Sequence, residues 1–193
     1  MENNPINNLI SLVKNIDTVS KRQAEKIVSW IINCPKEQIN ELVSAINLVK
    51  TNINKCSICT NLTTNEVCEI CTSEDRDNIL MVVENFNNIK KIEENEIFNG
   101  KYFVFSELIK PKKTSQDIEK KAEELAQFSA NFDEVILAIS PTLEGEITNE
   151  FLRKYLKNRK INVSSISIGI PVGANIDYID SISLKQSIIN RRK

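Results

Sequence analysis

The sequence predicts a multidomain protein of mixed α and α/β class: helices first, then a small four-cysteine module, then a mainly parallel sheet, and a short helical segment at the C-terminus. Three observations carry that prediction. Residues 6–50 read as helical throughout, residues 55–71 read KCSICTNLTTNEVCEIC, and beyond them short apolar runs alternate with amphipathic stretches. With 193 residues, the chain has room for one large domain or for a compact domain carrying small modules, since single cores form at about 100–200 residues. The spacing of the motifs favours modules.

Two helical signals stand out in the first part. In SKRQAEKIVSWII, Ser20 and Gln23 have capping-box spacing, and Ala24, Ile27, Val28 and Ile31 fall on one face, the expected core face. Pro35 stops that helix one residue after Cys34, and KEQINELVSAINLVK starts another with Ile39, Leu42, Val43 and Ile46 on one side. Cys34 reads as a buried small hydrophobe at the end of an apolar face.

Cys56, Cys59, Cys68 and Cys71 form two C-x-x-C pairs in a chain without histidine. Four thiolates at this spacing suit one tetrahedral zinc ion, and four filled positions leave none for water or substrate, so the reading is structural. An iron–sulfur cluster is the lesser alternative. So short a loop buries little apolar surface, and metal binding must supply much of its folding free energy, on the order of 10 kcal/mol.

The runs ILMVVE (79–84), KYFVFS (101–106), EVILAIS (134–140) and INVSSISIGI (161–170) have the length and composition of buried strands. SQDIEKKAEELAQFSANF and LEGEITNEFLRKYLKNRK between them carry helical periodicity, and the alternation predicts crossover connections in a parallel sheet. SLKQSIINRRK closes the chain as a short helix. Glu84 ends the first strand, and Glu144 and Glu146 open the helix after the third. Carboxylates at the C-terminal ends of parallel strands suit a Mg²⁺ site, whereas acidic residues in a first helical turn also complement the helix dipole. Spacing leaves both readings open.

Composition excludes several classes of function. Without histidine, no Ser-His-Asp or Cys-His mechanism can be built from this chain alone. The net charge of −1 argues against a protein coated in positive charge. Basic clusters occur at Lys21, Arg22 and Lys26, at Lys110, Lys112 and Lys113, from Arg153 through Lys160, and at Arg191, Arg192 and Lys193. No apolar run reaches the ~20 residues of a membrane span, and MENNPINNLI lacks the features of a signal peptide. A cytoplasmic location is expected.

Taken in order, the cysteine spacing, the strand ending VVE, the stretch EVILAISPTLEGEIT and GIPVGANIDYID make the chain resemble the RecR family of bacterial recombination mediators along nearly its whole length. The resemblance implies a helix-hairpin-helix-like DNA-binding region at 1–53, a C4-type zinc finger with one structural Zn²⁺ at 54–73, a Toprim domain at 79–174 and an assembly segment at 175–193. It implies a non-enzymatic DNA clamp that acts in repair and recombination with RecO, and with RecF where present, to load recombinase at single-strand gaps. The clamp is expected to be a homo-oligomer, a dimer or a tetrameric ring. Catalytic Toprim domains hold Mg²⁺ on a glutamate and an Asp-x-Asp pair. Glu84 matches the glutamate, but Ser140, Pro141 and Thr142 stand at the pair. The resemblance therefore implies that Glu84, Glu144 and Glu146 engage a partner or bind a cation weakly. The alternative is a Mg-dependent nuclease or primase-like enzyme.

The chain also departs from the family pattern. Thr18 and Ser20 stand where the DNA-contacting hairpin has glycines, which shifts the expected DNA contacts to Lys21, Arg22 and Lys26. SELIKPKKTSQD lacks a glycine-rich, histidine-containing pattern, and Ser165 and Ile168 replace basic and histidine positions before GIPVG.

Overall fold

The computed structural model describes residues 4–110 and 116–191. Lys112, Lys113, Arg192 and Lys193 of the basic clusters lie outside the described residues. The chain forms two compact units, Met1–Ile53 and Asn54–Lys193.

The first unit holds helices α1 (Pro5–Lys14), α2 (Lys21–Asn33) and α3 (Lys36–Asn52). Ser20 closes the predicted capping box: its hydroxyl accepts from the Gln23 amide at 3.3 Å, and the Gln23 side chain accepts from the Ser20 amide at 2.8 Å. Ala24 and Val28 are fully buried, as the periodicity predicts, but Ile27 is exposed. Leu42, Val43 and Ile46 of α3 are exposed as well. Among the described residues α2 packs against α1, and α3 has no comparable partner, so its apolar face stays uncovered. Cys34 also differs from expectation: it is half-buried, and its thiol donates to the Gln38 side chain at 2.9 Å. The turn between α1 and α2 places Thr18 at φ 70°. That left-handed position is where glycine is expected, so the hairpin backbone persists although a β-branched residue occupies it.

In the second unit, β1 (Asn54–Lys55) and β2 (Leu62–Thr63) pair antiparallel inside the cysteine module, which ends in a short helix α4 (Glu69–Thr72). Then follow β3 (Ile79–Val83), α5 (Phe86–Glu94), β4 (Lys101–Val104), α6 (Gln116–Ser129), β5 (Glu134–Ala138), α7 (Leu143–Lys157), β6 (Val163–Ser165) and α8 (Ser181–Ile189). Four strands form one parallel sheet in the order β4-β3-β5-β6. Alternate residues of β3 and β4 point to opposite faces. Leu80, Val82 and Phe103 pack with Ile118, Leu125 and Leu152 of α6 and α7. Met81, Val83, Tyr102 and Val104 pack with Ile89 of α5 on the other face.

Two sequence expectations change. The fourth strand, expected over 161–170, has only three residues. Its neighbour β5 ends at Ala138, and after the Ile166 amide bonds to the Leu137 carbonyl the ladder has no further partner. The sequence reading placed no helix between the first two strands, yet α5 is there, started by a capping box of Asn85 and Asn88.

A buried-edge network ties the chain that follows the cysteines to the sheet. The Arg76 guanidinium forms a two-pronged pair with Glu93 and donates to the Gly100 carbonyl at 2.9 Å, while the Tyr102 hydroxyl donates to Glu93 at 2.6 Å. The hydrogen bonds from Arg76, helped by Tyr102 and opposed by burial, hold the Glu93 carboxyl below its ordinary 4.5.

Two outcomes are expected. Thr18→Gly relieves the left-handed strain, partly offset by glycine's freedom in the unfolded chain, and raises stability by about 0.5–1 kcal/mol in denaturant titration. Because the folded pKa of Glu93 is lowered, its contribution is complete above the unfolded value and fades as pH falls through the folded one. The wild type should therefore exceed Glu93→Gln by about 1.5–3 kcal/mol at neutral pH. Thermal scans should show that gap constant down to about pH 5 and closing below 4.5.

Candidate functional site

The cysteine module is built by two tight turns. The β1–β2 hairpin carries Cys56 and Cys59, with the Cys56 amide bonded to the Asn61 carbonyl at 2.7 Å and Thr60 in the left-handed region at φ 62°. Cys68 immediately precedes α4, which carries Cys71. The four sulfurs lie within 4.8 Å of one another, Cys59 and Cys68 at 3.5 Å and Cys56 and Cys71 at 4.0 Å. Cys56, Cys59 and Cys68 are buried, with Val67, Ile70 and Phe128 packed around them.

Four sulfurs this close cannot all ionise without a cation among them. The hydrogen bond with Cys68 pushes the Cys59 thiol up, and the same bond pulls Cys68 down. All-sulfur donors gathered in a dry pocket fit a structural zinc ion, whose charge removes that conflict and whose binding releases the remaining protons. The module closes against the sheet edge. The Val104 amide donates to the Cys59 carbonyl at 2.9 Å, the Thr60 hydroxyl to the Val104 carbonyl at 2.9 Å, and the Lys101 ammonium to the Cys71 carbonyl at 3.1 Å. The sequence could not announce these contacts, because two of the three acceptors are backbone carbonyls of the ligand cysteines.

The second place of interest is the C-terminal end of the sheet. From β3 the chain crosses to β4 on one side, and β5 leads to β6 on the other, so the crevice between β3 and β5 is the topological switch point where ligands collect in open α/β sheets. Glu84 follows β3 there, and its carboxylate accepts from the Ser140 amide at 2.5 Å, bridging the crevice. Ser140, Pro141 and Thr142 form the turn into α7, and the Thr142 hydroxyl caps that helix by accepting from the Gly145 amide at 3.1 Å. A Cβ on Gly145 would lie 1.9 Å from the Ser140 carbonyl oxygen, so glycine lets α7 start this close to the strand.

Glu144 is half-buried and Glu146 exposed on the first turn of α7, Glu146 bordering a groove of about 1140 Å³ between α7 and the C-terminal segment. Among the described residues, only the four cysteines gather as three or more metal-ligating groups. The structure thus does not bring Glu84, Glu144 and Glu146 together as one ligand set. Lys21, Arg22 and Lys26 are exposed at the start of α2, with Lys21 3.9 Å from Glu25.

Fold and centre together define a Toprim-type α/β protein stapled by a structural four-cysteine zinc site. The Toprim domain family matches residues 78–167, the RecR zinc finger domain of four-cysteine type residues 53–73 and the RecR C-terminal family residues 169–192. The chain is 38% identical to recombination protein RecR of Finegoldia magna over 96% of its own length and 94% of the relative's. It is 33% identical to that of Mycoplasmopsis pulmonis over the full length of both. Identity to the Clostridium perfringens protein is 34%, over 96% of this chain and 95% of the relative. The chain belongs to the RecR family of recombination proteins.

Metal analysis should find one zinc per chain, lost in Cys59→Ser. Zinc removal should free the β4 edge, so that the Val104 amide exchanges hydrogen far faster while amides of β5, in the middle of the sheet, change little.

Proposed function

We propose that this chain is a non-enzymatic mediator of DNA repair and recombination in the cytoplasm. It acts as a homo-oligomeric clamp on DNA, a dimer or a tetrameric ring, and works with RecO, and with RecF where present, to load recombinase at single-strand gaps. The observation that carries the non-enzymatic reading is the bond from the Ser140 amide to Glu84. The carboxylate that a Toprim enzyme would turn toward Mg²⁺ is engaged by the backbone of Ser140, and Thr142, at the second position that would complete the site, caps α7. Without the acidic pair, a cation lacks the charge that anchors phosphoryl chemistry.

In this reading residues 1–53 are the helix-hairpin-helix-like DNA-binding region, with Lys21, Arg22 and Lys26 on phosphate. Residues 54–73 are the zinc finger, 79–174 the Toprim domain and 175–193 the assembly segment. The hairpin reading is supported by Thr18, which holds the turn's left-handed geometry without glycine. Assembly is supported by the exposed Leu42, Val43 and Ile46 of α3 and by Val172, Tyr178 and Ile182 of the C-terminal segment. Glu84, Glu144 and Glu146 are the carboxylates that engage RecO or bind a cation weakly.

Solution mass measured with and without RecO and gapped DNA tests this reading. An oligomer that binds both partners is expected, with RecO binding lost in Glu144→Lys and DNA binding weakened in Lys21→Gln/Arg22→Gln/Lys26→Gln. A strict monomer would overturn the clamp. Magnesium-dependent turnover of DNA, abolished by Glu84→Gln, would establish the nuclease or primase alternative.

A further inference from the structure

One charged feature is not used by the zinc centre, the switch point or the α2 cations. Five of the eight residues from Arg153 to Lys160 are cationic, the most in any stretch of that length in a chain whose net charge is −1. They occupy the C-terminal half of α7 and the turn that ends it. A cation or two in a last helical turn complements the dipole. Five exceed what that effect needs.

The structure shows how little of this charge is neutralised locally. Glu150 serves both Lys154, at 3.2 Å, and Arg153, at 4.0 Å. Glu123 pairs with Arg159 at 2.7 Å, and the Arg159 guanidinium lies 3.8 Å over the Tyr155 ring, whose hydroxyl also donates to Glu123. Arg159 is thereby held in place on the surface. Lys157 and Lys160 are exposed and form no ion pair among the described residues. Lys160 has φ 63°, a left-handed helix-ending position that glycine usually fills.

We infer that this ridge, Arg153, Lys154, Lys157, Arg159 and Lys160, is a second DNA-contacting surface that binds phosphates of the backbone, separate from the α2 cations. Shape and chemistry favour a phosphate backbone over an acidic protein. The helical part of the run, Arg153 to Lys157, is about 6 Å long at 1.5 Å per residue, and the turn to Lys160 extends it. Duplex DNA presents a charge per about 1.7 Å of axis, so several phosphates face the run at once. Between the cations, Leu156 is fully buried, Tyr155 lies beneath Arg159 and Asn158 is polar. The ridge therefore lacks the exposed apolar centre of a protein interface.

The inference rests on the DNA-binding reading above, and its test separates the two. Full-length Lys154→Gln/Lys157→Gln/Lys160→Gln is compared with wild type by anisotropy of labelled duplex DNA between about 50 and 200 mM salt. Zinc content and solution mass confirm that the variant is folded and assembled. The slope of log Kobs against log salt should become shallower by about 0.9 for each contact removed. Glu150→Gln, which frees Lys154 and leaves Arg153 bonded only to the Ser165 hydroxyl, should bind more tightly than wild type. An unchanged slope in the triple variant, with the α2 variant defective, would overturn the ridge and leave the clamp standing. Unchanged DNA binding with loss of RecO binding would assign the ridge to an acidic protein partner and equally overturn it. A wild type without DNA affinity would remove both readings.

Discussion

Four sulfurs confined to within 4.8 Å of one another impose the constraint around which the larger unit is arranged. Without a cation the thiols compete for protons, and with zinc they become a rigid staple whose backbone carbonyls have fixed positions. One of those carbonyls receives the Val104 amide, and another receives Lys101. An edge strand with open amides invites pairing with another chain. Here the metal module covers that edge, and Phe128 of α6 packs against both the module and the sheet. The zinc thus acts on the sheet through main-chain geometry, which is why a site with no open coordination position still matters to the rest of the unit.

Next to the metal module, at the C-terminal ends of β3 and β5, main-chain groups also take up the polar side chains. A carboxylate at a switch point can face a metal or satisfy a main-chain donor. Glu84 takes the Ser140 amide, and the hydroxyl of Thr142 takes the Gly145 amide. The Thr142 bond starts α7, and the Glu84 bond ties the turn before it to the end of β3. The first turn of α7 carries Glu144, half-buried, and Glu146, exposed, and neither gathers with Glu84 into a ligand set.

Charge is distributed unevenly over the second unit. The N-terminal half of α7 carries its acids, Glu144, Glu146 and Glu150, and the C-terminal half its cations, so side chains reinforce the helix dipole. One helix therefore carries regions of opposite sign at its two ends. A near-neutral total charge conceals this separation.

Much of this was legible in the sequence, because local physics writes itself there. The C-x-x-C pairs define their ligand set whatever surrounds them, the capping box at Ser20 needs only residues three apart, and apolar runs alternating with helices predict parallel crossovers. Other features were decided by packing. Helix α5 escaped notice because its start is signalled only by Asn85 and Asn88. The fourth strand stopped at Ser165 because β5 offered no further partner. Whether Ile27, Leu42 or Val43 is core or surface depends on which neighbours arrive, since periodicity marks a face without naming what covers it. Sequence alone determined the zinc ligands and the succession of the four strands, both matters of residue identity and short spacing, and the family resemblance added the missing acidic pair. Only the tertiary structure decided that Glu84 bonds to Ser140 and that the metal loop closes β4, because both depend on main-chain groups brought together from distant parts of the chain.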